Sequence, residues 1–569
     1  MTTPIYELSD AYVERAAELD PVGATGRGII GHDDKMTDYS PDGIAARTDL
    51  DRATITRLGE LKPENDRDRI AGDLLSERLS SSVALDESGE TMRTLRIIGS
   101  PFQGVRSVFD IMPRNTEQEW QTIAARLELV PSALDGVKAS LVETTSRGLP
   151  PARRQVLACA EQGATWAGLR QHKPYFVSLV ANYAGNDDVL KARLVAASEA
   201  ATKAYASLGD WLRDDLAASA SARDAVGRER YALAAAQTLG ARVDPEEAYR
   251  WGWDELHRLE AEMSTVADRI VPGATVAEAI DFLEADPGRA IEGEDRLRAY
   301  LQALMDRTIE ELDGTHFDIP GPLKKVEAMI APPGGAAAMY YTGPSEDFSR
   351  PGRTWYPTLG KTTFPLWGEV SICYHEGVPG HHLQIGQVRY LKDQLSRFQR
   401  MAWLGAHGEG WALYAERLMD ELGYFENPDY RLGFLRAQVM RAVRVVVDIG
   451  MHLELNIATD DRFHPGEQWT PELGQEFLFE RSCFPRDFMA SELDRYLGWP
   501  SQATCYKLGE RVWLGARDDV KHRLGTTFDQ KAFHAYALGL GPIGLDQLAN
   551  EVAAFAEQGQ GSSPTKAPA

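Results

Sequence analysis

The string Tyr374-His375-Glu376-Gly377-Val378-Pro379-Gly380-His381-His382-Leu383-Gln384 contains the residue types from which a metal centre is built. Imidazole nitrogens hold a borderline ion such as Zn²⁺, and a glutamate beside them can take a proton from water. In an H-E-x-x-H helix two histidines one turn apart share the ion. Here the second histidine stands further on, at i+6 (His381) or i+7 (His382). At about 100° per residue, i+6 points about 240° away, and i+7 regains the same face only about 10 Å further along the axis. An unbroken helix would therefore keep both from sharing a metal with His375. A widened or broken turn is required, and the sequence supplies one: Pro379 has no N–H for the His375 carbonyl, and Gly380 tolerates unusual dihedrals. Spacing alone leaves His381 and His382 both open.

A third ligand is needed. Downstream, His407-Gly408-Glu409-Gly410-Trp411-Ala412-Leu413-Tyr414-Ala415-Glu416 reads as a helix start whose two glutamates, seven apart, share a face. Glu409 is the expected ligand, and Glu416 the carboxylate that orients a ligand histidine. On the apolar segment from Phe434 to Leu455, Arg441, Arg444, Asp448 and His452 recur at threes and fours as one polar stripe. Arg444 and Asp448 can pair with each other at i and i+4. The functional alternative has Asp448 or His452 orienting a zinc ligand or touching substrate. Near the C-terminus, Tyr506 and then Tyr496 are candidates to donate a hydroxyl to a carbonyl oxygen as it gains negative charge, against the ordinary role of ring packing.

The elements that must position these residues are mostly helical. Asp244-Pro245-Glu246-Glu247 opens a helix whose apolar stripe, Ala248, Leu256, Leu259, Met263, Val266 and Ile270, ends at Pro272-Gly273. Similar periodicity predicts helices over Ser9–Glu18, Ile44–Leu61, Glu117–Leu129, Ala152–Ala167, Asp187–Ala217, Thr275–Glu284 and Gly293–Leu312. Val326–Ala331 and Ala336–Thr342, with Gly and Pro around them, read as short strands of a small sheet. Helical pattern resumes from Trp367 to Gln558. The expected organisation is a helical part over 1–320, a part over 321–558 carrying the small sheet and the zinc helix, and a disordered tail over 559–569. The string Gly23-Ala24-Thr25-Gly26-Arg27-Gly28 follows a helical segment, where a dinucleotide loop requires a preceding strand, so it is read as no nucleotide site.

Composition narrows the class. In 569 residues, 61 Lys and Arg face 85 Asp and Glu, a net charge of −24, so a nucleic-acid partner is not expected. With 43% hydrophobic and 26% charged residues, a folded globular protein is expected rather than a disordered chain. Cys159, Cys373, Cys483 and Cys505 are far apart and form no C-x-x-C pair, which points to free thiols in the cytoplasm. Acidic residues stand where a signal peptide would be basic. No run approaches 18 apolar residues, and Val443–Met451 is broken by Arg444 and Asp448, so no membrane span is expected.

The strings HEGVPGHHLQ, EGWALYAE, RVVVDIGMH and WPSQATCYKLGE together resemble the bacterial family called domain of unknown function 885, nearly end to end. Its pattern H-E-x-x-P-G-H is filled by His375, Glu376, Pro379, Gly380 and His381, so the resemblance favours His381 as the ligand. It implies kinship with zinc metallopeptidases similar in layout to thimet oligopeptidase and the thermostable carboxypeptidases: mainly α, a large helical body around a deep cleft, with a small sheet beside the zinc helix. The N-terminal part would form one cleft wall. The expectation is a cytoplasmic zinc hydrolase of short peptides or related amides, oligomeric state open. In it His375, His381 and Glu409 bind Zn²⁺, Glu376 is the base, and an edge strand around Ala336–Thr342 pairs with substrate. A zinc amidase of a non-peptide metabolite would use the same site. A non-catalytic binding protein keeping the fold is the other alternative, against which the intact Glu376 speaks.

Overall fold

Short polar residues start many of the helices. Thr3, Ser40 and Asp244 each turn a side-chain oxygen onto first-turn amides, and a proline, which lacks the amide that would go unpaired, takes the first helical position behind each. The structure, a computed structural model, describes residues 3–332 and 338–558. The expected tail and the Ala336–Ala337 start of the second strand lie outside the described residues.

The chain forms two units. The first takes the residues up to Glu64, Leu75–Leu233 and Ala490–Pro500; the second takes Asn65–Leu74, Ala234–Met489 and the residues from Ser501 on. The boundary read at residue 320 is thereby corrected. The change of texture there marks a sheet inside the second unit, while helical periodicity is alike on both sides of the true division at Leu233.

In the first unit, helix Asp188–Trp211 packs against Glu117–Glu128, Val130–Ser146 and Arg153–Trp166. Phe102, Phe109, Phe176 and Tyr205 fill the core, and the Tyr205 hydroxyl donates to the Phe102 carbonyl at 2.8 Å, so its one polar atom is not left bare. The helix expected to run to Ala217 passes into a π-turn over Leu212–Leu216. The glycine-rich string forms a short helix, Pro21–Arg27, capped by Asp20 and following another helix.

The second unit carries the chemistry-bearing residues. Its main helices are α1 (Pro245–Ile270), α2 (Glu294–Leu312), α3 (Glu369–Glu376), α4 (His381–Tyr390), α5 (Gly405–Glu421), α6 (Pro428–Leu453) and α7 (Cys505–Leu524). Two strands pair antiparallel, β1 (Ala290–Glu292) with β5 (Thr363–Pro365). A second sheet has β2 (Val326–Ile330), β3 (Tyr340–Thr342) and β4 (Gly352–Tyr356) in the order β2–β4–β3. β2 runs parallel to β4, Val326 opposite Gly352, and β3 antiparallel to it, Tyr340 opposite Trp355. β4 was not read from the sequence, being five residues between Pro351 and Pro357.

Helix α6 lies along α1 and is buried without interruption from Gln438 to His452. Helix α5 lies along α7 at a glycine contact: a Cβ on Gly410 would stand 2.5 Å from the Gly509 backbone, closer than any side chain allows. Helix α3 packs against both α5 and α6. The fold class is mainly α with small sheets, and among the described residues no helix is long and apolar enough to cross a membrane.

Candidate metal centre

The turn between the two histidine-bearing helices is broken at both of its glycines. Helix α3 ends at Glu376; Gly377 takes φ −93°, ψ −125° and Gly380 φ −74°, ψ −129°, both non-helical. The Val378–Pro379 peptide between them is cis. The Gly380 amide donates to the Tyr374 carbonyl at 3.1 Å, the His382 amide to the Gly377 carbonyl at 3.1 Å, and α4 begins at His381. A Cβ at Gly380 would lie 2.0 Å from the His375 carbonyl oxygen, so only glycine fits. From α5, the Trp411 indole donates to the Pro379 carbonyl at 2.9 Å and fixes the loop. The break turns His375 and His381 face to edge, ring centroids 4.8 Å apart and planes at 88°.

Both rings aim Nε2 at one carboxylate oxygen. Glu409 Oε2, on α5, is 3.4 Å from His375 Nε2 and 3.5 Å from His381 Nε2. The three candidate ligand atoms all lie within 4.8 Å of one another. A charge-assisted hydrogen bond would bring N and O to about 2.7–2.9 Å. The longer spacing matches a tetrahedron edge, about 3.3 Å for metal bonds of about 2.0–2.1 Å. The contrast is on the same ring: His375 Nδ1 is 2.7 Å from Glu416 Oε1, and Ser371 donates to Glu416 Oε2 at 2.6 Å. A carboxylate only accepts, so Nδ1 carries a proton toward Glu416, which leaves Nε2, on the Glu409 side, as the nitrogen that a metal would take in place of a proton. His381 Nδ1 is buried with no hydrogen-bond partner among the described residues.

The imidazoles and carboxylates of this buried space shift one another. Burial pulls the His375 pKa down, but contact with the Glu409 and Glu416 carboxylates outweighs it and pushes the ring up to about 9. Burial works to raise Glu409, yet both histidines hold it well below the usual carboxylate range. Glu376 is raised, burial prevailing over the charges of His375, His381 and Arg441. A divalent ion would take the place of the proton that the site otherwise holds. The donor set, two imidazoles and one carboxylate at coordination spacing, fits zinc.

A family profile described as bacterial protein of unknown function, DUF885, matches residues 21–552. The chain belongs to the DUF885 family. Two solved structures share the fold. One, from Colwellia psychrerythraea and described as a "putative lipoprotein", is 23% identical, covers 98% of this chain and 99% of that one, and superposes with a TM-score of 0.83. The other, from Shewanella oneidensis, is described the same way and as of unknown function; it is 18% identical, with 96% and 99% coverage and a TM-score of 0.75. No curated protein matches the sequence.

The remaining candidates of this DUF885 chain divide by where the fold puts them. His382, next to the proposed ligand, turns to the sheet: its Nδ1 is 2.9 Å from the Tyr341 hydroxyl on β3 and its Nε2 2.8 Å from the Leu323 carbonyl. Burial lowers its pKa to about 4, so it is neutral and ties α4 to β3. Asp448 accepts from the Ser501 amide at 2.9 Å, and His452 is wholly buried one turn on, 3.9 Å from it. Neither is hydrogen-bonded to His375 or His381; Glu416 holds His375. Tyr506, half-buried at the start of α7, lies under the Arg444 guanidinium, whose carbon is 4.7 Å from the ring centre, with that of Arg441 at 6.0 Å. Tyr496 belongs to the first unit, where its buried hydroxyl donates to Glu492 at 2.7 Å. Trp403 escaped the sequence reading. Its ring is 60% exposed although 6.2 Å from that of His381, and no periodicity marks an aromatic in the loop before α5.

Proposed function

We propose that this protein is a zinc-dependent hydrolase that cleaves peptide or related amide bonds in small substrates, a relative in chemistry of the His-Glu zinc metallopeptidases. One observation carries the reading: His375 Nε2, His381 Nε2 and Glu409 Oε2 stand at coordination spacing beside the buried carboxyl of Glu376. These three residues would hold the ion, leaving a fourth position open as in catalytic sites. Bound zinc supplies a Lewis acid that acidifies water and polarises a carbonyl. Glu376, its proton affinity raised by burial, accepts the proton as the water oxygen bonds to the carbonyl carbon. It returns that proton to the leaving nitrogen as the C–N bond breaks. Tyr506 is assigned the hydroxyl that steadies the carbonyl oxygen. Strand β3, at the edge of its sheet and joined to α4 through Tyr341 and His382, would pair with an extended substrate.

The test is Glu376→Gln assayed on a mixed peptide library by mass spectrometry. The variant should keep near one zinc per chain and lose turnover by about 10²–10⁴-fold; wild-type turnover in the variant would overturn the reading. We place the protein in the cytoplasm on the wide separation of its four cysteines, which form no C-x-x-C pair. The description of the two structural neighbours favours a lipid-anchored location, and recovery in the membrane fraction on cell fractionation would reverse our assignment.

A further inference from the structure

Arg441 is a buried cation without a carboxylate of its own. It is 8% exposed, on α6, a helix that packs against α3 and α5. Among the described residues its single hydrogen bond runs from Nη1 to the Ala437 carbonyl, 3.1 Å away and one turn back on the same helix. Nε is buried with no partner, and no Asp or Glu of the described residues forms an ion pair with the guanidinium. Arg481, equally deep in the same unit, shows the usual solution: Glu260 at 2.6 Å and Asp461 at 3.0 Å. A guanidinium taken out of water and left unpaired is costly, which makes its bare donors informative.

Those donors form one edge. With Nη1 committed to Ala437, the Nε–Nη2 side remains, and this side presents two parallel N–H groups that match the two oxygens of a carboxylate. The guanidinium is also within electrostatic reach of the metal centre. The Arg441 charge favours the ionised forms of both Glu376 and Glu416, against the burial that leads in each. Its guanidinium carbon is 6.0 Å from the ring centre of Tyr506, so it lies beside the group assigned to the carbonyl oxygen.

We propose that Arg441 binds the free α-carboxylate of a substrate's C-terminal residue, so that the enzyme releases residues from the carboxyl end of short peptides. The assignment rests on the hydrolase reading and narrows its substrate class. A peptide continuing past this point, or one ending in an amide, would bury the guanidinium edge without a partner, and such sites reject the wrong ligand strongly. The carboxylate therefore selects substrates and sets which bond meets Glu376.

The experiment is calorimetric titration of the Glu376→Gln protein, as purified, with N-benzoylglycyl-phenylalanine and with its C-terminal amide. The acid should bind at least about tenfold tighter. Adding Arg441→Gln should bring the acid down to the level of the amide and leave the amide unchanged, while Arg441→Lys should restore part of the preference. Equal binding of acid and amide, or an equal loss of both in Arg441→Gln with the thermal midpoint and zinc affinity kept, would overturn the assignment. Wild-type turnover separates the two claims. Equal hydrolysis of acid and amide leaves the hydrolase standing and removes Arg441 as the selector. Preferential binding of the acid with no hydrolysis of either keeps Arg441 and removes the hydrolase.

Discussion

Glu416→Gln changes the charge behind His375 and little else. In the wild type one carboxylate oxygen accepts from His375 Nδ1 at 2.7 Å and the other from Ser371 at 2.6 Å. The glutamine carbonyl can still accept from the imidazole, and Ser371, able to donate or accept, can turn its hydroxyl to meet the amide NH₂. What is lost is the charged character of the bond. Hydrogen bonds to charged groups contribute about 1.5–3 kcal/mol and neutral ones about 0.5–1.5 kcal/mol, so the ring becomes a poorer donor to a metal by about 1–2 kcal/mol. Zinc binding should therefore be weakened by about 10-fold, within the roughly 10–100-fold range seen when outer partners of ligand histidines are changed. The assay is competition for zinc with a fluorescent chelator at fixed pH, alongside the melting curve of the metal-free protein. A dissociation constant within twofold of wild type, in a protein that melts normally, would refute the idea that Glu416 tunes a metal ligand.

Other outcomes follow from the same geometry. Gly380→Ala places a methyl 2.0 Å from the His375 carbonyl oxygen, so the loop must move; zinc binding should be lost and the melting midpoint should fall, as calorimetry would show. His381→Ala should abolish zinc binding, whereas His382→Ala should keep the metal and lose the Tyr341 and Leu323 contacts; equal zinc affinity in the two would contradict the assignment. Glu369, at the start of α3, has its pKa raised to about 7, mainly by burial, and its Oε2 has no partner among the described residues. The folded state then holds this proton more tightly than the unfolded chain, so the contribution to stability falls as pH rises from about 4.5 to about 7 and is level above. Glu369→Gln should melt above wild type at pH 8, by up to about 3 kcal/mol, and the gap should shrink by pH 5; a constant gap would exclude a buried charge there. Trp403→Ala should raise KM for substrates with large apolar side chains while leaving zinc content unchanged, as steady-state kinetics and metal analysis would show.

The legible part of the site was local. His375, Glu376, Pro379, Gly380 and His381 lie within one short string, and the chemistry of proline and glycine implies a break before any coordinate does. Helix periodicity puts Glu409 and Glu416 on one face, and the structure brings both to His375. What stayed hidden depends on long-range contact. Spacing could not tell which of His381 and His382 lies against Glu409, because that is set by Gly380 closing on the His375 carbonyl and by Tyr341 holding the second ring. Asp448 stood out because the stripe on α6 is visible in sequence, whereas the Ser501 amide it accepts from is not. The unit boundary was misplaced because helical periodicity does not report which helices pack together. The return of Ala490–Pro500 to the first unit has no signature in composition.

Diffraction from zinc-soaked crystals, recorded on both sides of the zinc absorption edge, addresses the metal centre directly. The expected result is one anomalous peak about 2.0–2.1 Å from His375 Nε2, His381 Nε2 and a Glu409 carboxylate oxygen. A map with no peak there, the two imidazoles hydrogen-bonded to Glu409 in its place, or a peak bound through His382, would contradict the account.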